Sequence, residues 1–161
     1  MNKKGPIIVI EDDLDDQMLL DHVFKKIEIE NQVIYFADPE EALNYLYSSL
    51  EQPFLILSDI NMPKLNGMEL KEKIQENEAL RAKCIPYLFF TTTAEQKMVI
   101  NAYSKSAQGF FVKPADFGHL QRIIQIIIDY WKECHSPDVV AWLLKQDDRP
   151  HNAWNTQGLL F

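Results

Sequence analysis

The sequence predicts an α/β fold built on a doubly wound, five-stranded parallel sheet. Three observations carry this. Five short apolar runs alternate with five amphipathic segments, the pattern of repeated βαβ units. Runs such as Ile7-Ile8-Val9-Ile10 and Phe54-Leu55-Ile56-Leu57 are apolar throughout, as strands covered on both faces are. Several runs end in acidic, hydroxyl or basic residues, at the sheet edge where open parallel sheets bind ligands.

Taken in order, Ile7–Ile10 is a β-branched first strand that runs into Glu11-Asp12-Asp13, with Asp15 and Asp16 close behind. A helix follows, on which Met18, Leu19, Val23, Phe24 and Ile27 recur at three- and four-residue spacing. Acidic residues in its first turn suit the positive end of the helix dipole. Val33–Phe36 is a second strand. Asp38 is a good N-cap for the next helix, with Pro39 at its first position and Glu41 placed for a capping box. Ala42, Leu43, Leu46 and Leu50 supply that helix with an apolar stripe. The third strand, Phe54–Ser58, delivers Asp59 where a buried run leaves the core, and Pro63-Lys64-Leu65-Asn66-Gly67 turns the chain. One third helix is expected, with Met68, Leu70, Ile74 and Leu80 inward. Ile85–Phe90 is a fourth strand ending in Thr91-Thr92-Thr93, and 94–105 a weaker helix. Gly109–Val112 is a short fifth strand ending in Lys113-Pro114. Asp116 caps a fifth helix that runs to about Trp131, with Leu120, Ile123, Ile124, Ile127 and Ile128 inward.

The totals fit one domain with a real core: 161 residues, 47% hydrophobic and 25% charged. No apolar run approaches a membrane span, and the apolar run after Lys3 and Lys4 is too short for a signal peptide, so a cytoplasmic protein is expected. Cys84 and Cys134 match no metal-ligand spacing and read as reduced thiols. A net charge of −8 disfavours direct nucleic-acid binding.

The strand ends place Glu11, Asp12, Asp13, Asp59, Thr91 and Lys113 on one edge. Gathered carboxylates repel one another unless a cation sits among them, and an incomplete cage of oxygen ligands suits Mg²⁺. A carboxylate such as Asp59 can act as nucleophile toward phosphorus. Mg²⁺ and Lys113 would neutralise phosphoryl oxygens, and the Thr91 hydroxyl could donate a hydrogen bond to one. Each residue alone has an ordinary structural reading. Four strand ends in this order together do not.

These motifs resemble the receiver domain of bacterial two-component response regulators, the CheY-like superfamily with a (βα)5 flavodoxin-like fold. Ile7–Asp13 is similar to the family's first strand and acidic pair, Leu55–Pro63 to its phosphoacceptor strand, Thr91 to its switch threonine and Lys113-Pro114 to its lysine-proline pair. The resemblance spans about residues 5–133. It implies phosphorylation of Asp59 by a phosphohistidine of a sensor histidine kinase or phosphotransfer protein. It implies Mg²⁺ ligation by Asp12, Asp59 and the backbone carbonyl of Asn61, with Glu11 acting through water, and a cis peptide between Lys113 and Pro114. Two departures stand out: Thr92 replaces a smaller residue, and Phe110 occupies the place of a switch aromatic that is often Tyr. Asn61 and Thr93, two residues beyond Asp59 and Thr91, are where phosphate lifetime would be tuned. The expected response is a population shift in which Thr91 moves, Phe110 fills the vacated space and the surface read by an unidentified target protein changes.

Rival readings are a phosphate-independent interaction module on the same fold, a flavodoxin-type carrier and an aspartyl phosphatase. The acidic first loop would repel a flavin phosphate, and Asn61 stands where such a phosphatase places its second Asp. Residues 134–161 form a C-terminal extension, expected to be partly helical. It is too short for a DNA-binding output domain and serves either as a helix packed on its own domain or as an arm that makes a homodimer or meets a partner.

Overall fold

A computed structural model describes residues 2–135; the C-terminal extension expected to be partly helical lies outside them from 136 onward. The elements run β1 (Ile7–Ile10), α1 (Leu14–Lys26), β2 (Val33–Phe36), α2 (Pro39–Ser48), β3 (Leu55–Ser58), α3 (Gly67–Glu76), α4 (Glu78–Ala82), β4 (Tyr87–Thr91), α5 (Gln96–Ser104), β5 (Gly109–Val112) and α6 (Phe117–Glu133). The strands form one parallel sheet in the order β2-β1-β3-β4-β5. The doubly wound α/β fold is therefore as the sequence predicts. The winding reverses at β1, and the crevice between β1 and β3 opens at their carboxyl ends.

Alternation along each strand divides the core in two. Ile7, Val9, Leu55, Leu57, Leu88 and Phe90 join Leu20, Val23 and Phe24 of α1 and Leu120, Ile124, Ile127 and Ile128 of α6. Ile8, Ile10, Ile56, Tyr87 and Phe89 point the other way, to Leu43, Leu46, Met68, Leu70, Leu80 and Ala102. Each fully buried aliphatic or aromatic side chain contributes roughly 1.5–3 kcal/mol of transfer free energy. Both faces of the sheet are thereby anchored, and the carboxyl ends of its strands are held in place.

Several local expectations change. The single third helix is two, α3 and α4, because Asn77 serves both. Its N–H closes α3 on the Lys73 carbonyl, its backbone is extended, and its side chain accepts from Leu80 N at 2.9 Å to open α4. On α1 the buried stripe is Leu20, Val23 and Phe24, while Met18 is 70% and Leu19 39% exposed. Residues two apart on a helix lie about 200° apart, so the stripe that buries Leu20 turns Met18 outward. Leu50 lies beyond α2 and is fully exposed rather than part of its stripe. Asp38 does cap α2, accepting from Glu40 N at 2.8 Å, and Lys64 binds its other oxygen at 2.7 Å. A capping box forms instead at α3, between Asn66 and Glu69.

Candidate functional site

Strand register assembles the site. Ile10 and Ser58 are partners across β1 and β3, so the next residues, Glu11 and Asp59, leave the sheet side by side. The ladder continues one step further, with Asp59 N donating to the Ile10 carbonyl at 2.9 Å. Asp59 is 7% exposed. Its Oδ1 accepts from Ile60 N at 2.6 Å and, more weakly, from Asn61 N at 3.4 Å. These bonds leave Oδ2 facing the Nζ of Lys113 at 3.5 Å.

Glu11, Asp12 and Asp59 bring carboxylate oxygens within 4.8 Å of one another. Burial of Glu11 works against its charge and the neighbouring Asp59 adds to the effect, raising its pKa to about 7 although Lys113 binds it. Three crowded carboxylates, one with a raised affinity for protons, form the oxygen-rich donor set that a hard divalent cation fits. The Glu11 carbonyl accepts from Gln17 Nε2 at 2.5 Å and its Oε1 from Asp13 N at 3.2 Å, which ties the loop to α1.

Two residues come from the other strands. Thr91 ends β4, is fully buried, and its hydroxyl has no hydrogen-bond partner among the described residues. A buried hydroxyl without a partner carries a desolvation cost of about 1–3 kcal/mol, and an acceptor brought within reach would relieve it. Thr91 pairs with Val112 across β4 and β5, and Lys113 N then donates to the Thr91 carbonyl at 2.8 Å. Lys113 runs inward to Glu11 Oε2 and Asp16 Oδ2, the latter at 2.7 Å. The bond between Lys113 and Pro114 is trans, contrary to the cis bond that the resemblance implies. The trans form is the lower in energy at X–Pro bonds, by about 0.5–1 kcal/mol.

Phe110 packs against the core. It is half-buried on β5, its ring 6.2 Å from that of Phe89 in the core. Asn61 and Thr93 meet at the mouth, Nδ2 to Oγ1 at 3.5 Å.

Reading the chain by strand ends misses three supporting residues. Gly67 is required because a Cβ there would lie 2.1 Å from the Asp59 carbonyl oxygen. Its own carbonyl accepts from the buried Tyr87 hydroxyl at 3.0 Å, which braces the loop after β3 from below. Asp16 is legible in the sequence only as one more acid in a helix start. Gly67 was visible as a turn residue, but no periodicity marks Tyr87 as other than core.

Comparison with known proteins agrees with this geometry. The model of the response regulator receiver domain matches residues 7–125. The chain is 30% identical over 129 residues to the probable methanogenesis regulatory protein FilR2 of Methanothrix harundinacea, covering 78% of this chain and 82% of that protein. It is also 30% identical over 137 residues to the response regulator Rcp1 of Synechocystis, covering 82% and 92%. The structure of the phosphorylated cyanobacterial phytochrome response regulator RcpA superposes with a TM-score of 0.73 at 25% identity, covering 83% of this chain and 96% of that one. The Mn²⁺-bound form of Rcp1 gives 0.71 at 28% identity, covering 83% and 97%. With the sheet order, the crowded carboxylates and a family match over most of its length, this chain belongs to the response regulator receiver domain family, signalling proteins of two-component systems.

Proposed function

We propose that Asp59 accepts a phosphoryl group from the phosphohistidine of a sensor histidine kinase or phosphotransfer protein, and that the chain signals by a change in its protein-binding surface. The observation that supports this most directly is the state of the Asp59 carboxylate. It is buried, held through Oδ1 by two backbone N–H groups, and has Oδ2 turned toward Lys113. A nucleophile oriented this way needs little reorganisation to react. In the transfer an Asp59 oxygen bonds to phosphorus as the bond from phosphorus to the donor nitrogen breaks.

Asp12, Asp59 and the Asn61 carbonyl would hold Mg²⁺, with Glu11 contributing through water. When bound, the ion neutralises charge on the phosphoryl oxygens. Lys113 supplies a second positive charge, and the Thr91 hydroxyl gains in a phosphoryl oxygen the acceptor it otherwise lacks. Movement of Thr91 toward that oxygen vacates space behind β4, into which Phe110 turns from its place beside Phe89. Because Phe carries no hydroxyl, packing rather than a hydrogen bond reports the change. Asn61 and Thr93 at the mouth control water reaching the phosphoryl group and so its lifetime.

The test is intact-mass analysis after incubation with acetyl phosphate and Mg²⁺. The parent gains one phosphoryl group and Asp59→Asn gains none. Equal modification of both proteins would overturn the assignment.

A further inference from the structure

Among the described residues, three carboxylates, those of Glu11, Asp16 and Asp59, lie within ion-pair distance of the Lys113 ammonium, and Asp16 has no part in the chemistry proposed for Asp59. It does not cap its helix either. Asp13 does that, taking the N–H groups of Asp15 and Asp16 on its Oδ1 at 2.8 and 3.2 Å. The Asp16 carboxylate instead accepts from Lys113 Nζ at 2.7 Å, whereas that nitrogen is 3.5 Å from Asp59 Oδ2. The Lys113 side chain is only 10% exposed and that of Asp16 33%, so this pair is screened less than a fully exposed one. Burial works against the ammonium, yet the bonds from Asp16 and Glu11 raise the lysine's pKa overall. An ammonium has three donors; Glu11 and Asp16 engage two. The third donor is free, but Nζ is held 3.5 Å from Asp59 Oδ2, so a phosphoryl group on Asp59 can draw the nitrogen closer only against its bonds to Asp16 and Glu11.

We propose that Asp16 is a positioning residue that holds Lys113 back at 3.5 Å from Asp59 in the unphosphorylated protein, so that recruiting the lysine to a phosphoryl group works against its bond to Asp16. The inference rests on Asp59 being the phosphoacceptor. It makes Asp16 a brake on the active state: removing its charge leaves the lysine restrained by Glu11 alone and should tighten binding of a phosphoryl mimic.

Calorimetric titration of the full chain with beryllofluoride at saturating Mg²⁺ tests it. Asp16→Asn is expected to bind roughly fivefold or more tightly than the parent, the scale of one charge-assisted hydrogen bond no longer in competition. Asp16→Glu, which keeps the charge, should return toward the parental affinity, and Asp16→Ser should behave as Asp16→Asn does. On a Lys113→Met background Asp16→Asn should change nothing, because no lysine remains to be released. Simple repulsion of the anion by Asp16 would persist on that background and would overturn the proposal, as would unchanged or weaker binding by Asp16→Asn alone. Parental binding with an unmoved Asp16→Asn defeats only this inference. A parent that binds no beryllofluoride defeats the phosphoacceptor reading and this inference with it.

Discussion

Glu11 shows how one residue's surroundings set its chemistry. The same side chain on a surface loop would ionise near 4.5, and burial between β1 and the Asp59 carboxylate moves it to about 7. The sign of the consequence follows from which state holds the proton more tightly. Here the folded state does, so between about pH 4.5 and 7 the unfolded chain binds fewer protons and stability falls as pH rises. Metal-free protein should therefore lose stability across that window, and Glu11→Gln should flatten the loss. The difference above pH 7 is on the order of 3 kcal/mol. Urea denaturation of both proteins at pH 5 and pH 8 measures it; parallel behaviour at both values would contradict the raised pKa. Gly67 and Thr91 are similar cases. Neither is unusual by type, and the meaning of each comes from a neighbour: the Asp59 carbonyl above Gly67 and the absence of an acceptor beside the Thr91 hydroxyl.

Among the elements, the division between α3 and α4 depends on one side chain. Asn77 terminates one helix through its backbone and starts the next through its Oδ1. Replacing an Asn N-cap by Ala costs about 1 kcal/mol. Asn77→Ala should lower the denaturation midpoint accordingly with an unchanged dependence on denaturant, and should leave beryllofluoride affinity intact. A change in that affinity would show that α4 is coupled to the site. Helix α1 makes a different point. Its buried stripe and the Asp13 cap are set by packing and local bonding, and between them they put Asp16 on the turn that faces Lys113.

Over the whole molecule, the sheet converts sequence distance into proximity. Glu11 and Lys113 are 102 residues apart and bonded, because β1 and β5 end on the same edge of one parallel sheet. A site assembled from four strand ends exists only in the folded chain, so a cation bound there stabilises the fold by mass action. At Mg²⁺ near 100 times its dissociation constant the gain is about 2.7 kcal/mol, which is several degrees in melting temperature for a domain of this size. Thermal melts with and without Mg²⁺ should show that rise in the parent and little of it in Asp12→Asn. A rise of equal size in Asp12→Asn would mean that the ion binds elsewhere.

The sequence by itself determined the strand positions, the sheet class, the edge where the polar residues gather and five of the residues there, Glu11, Asp12, Asp59, Thr91 and Lys113. These are local signals: apolar runs with abrupt polar ends, and turn residues at strand exits. It did not reveal the phase of α1, the break at Asn77 or the need for Tyr87 and Gly67 under the Asp59 loop. Those depend on which of several apolar or small residues meets a given neighbour. The trans bond before Pro114 was equally hidden, since the two forms differ so little in energy. Above all, only the tertiary structure decided which carboxylates share Lys113. Charge counts placed five acids from Glu11 to Asp16, and it took the shared sheet edge of β1 and β5, with the first turn of α1 beside it, to select Glu11 and Asp16 from among them.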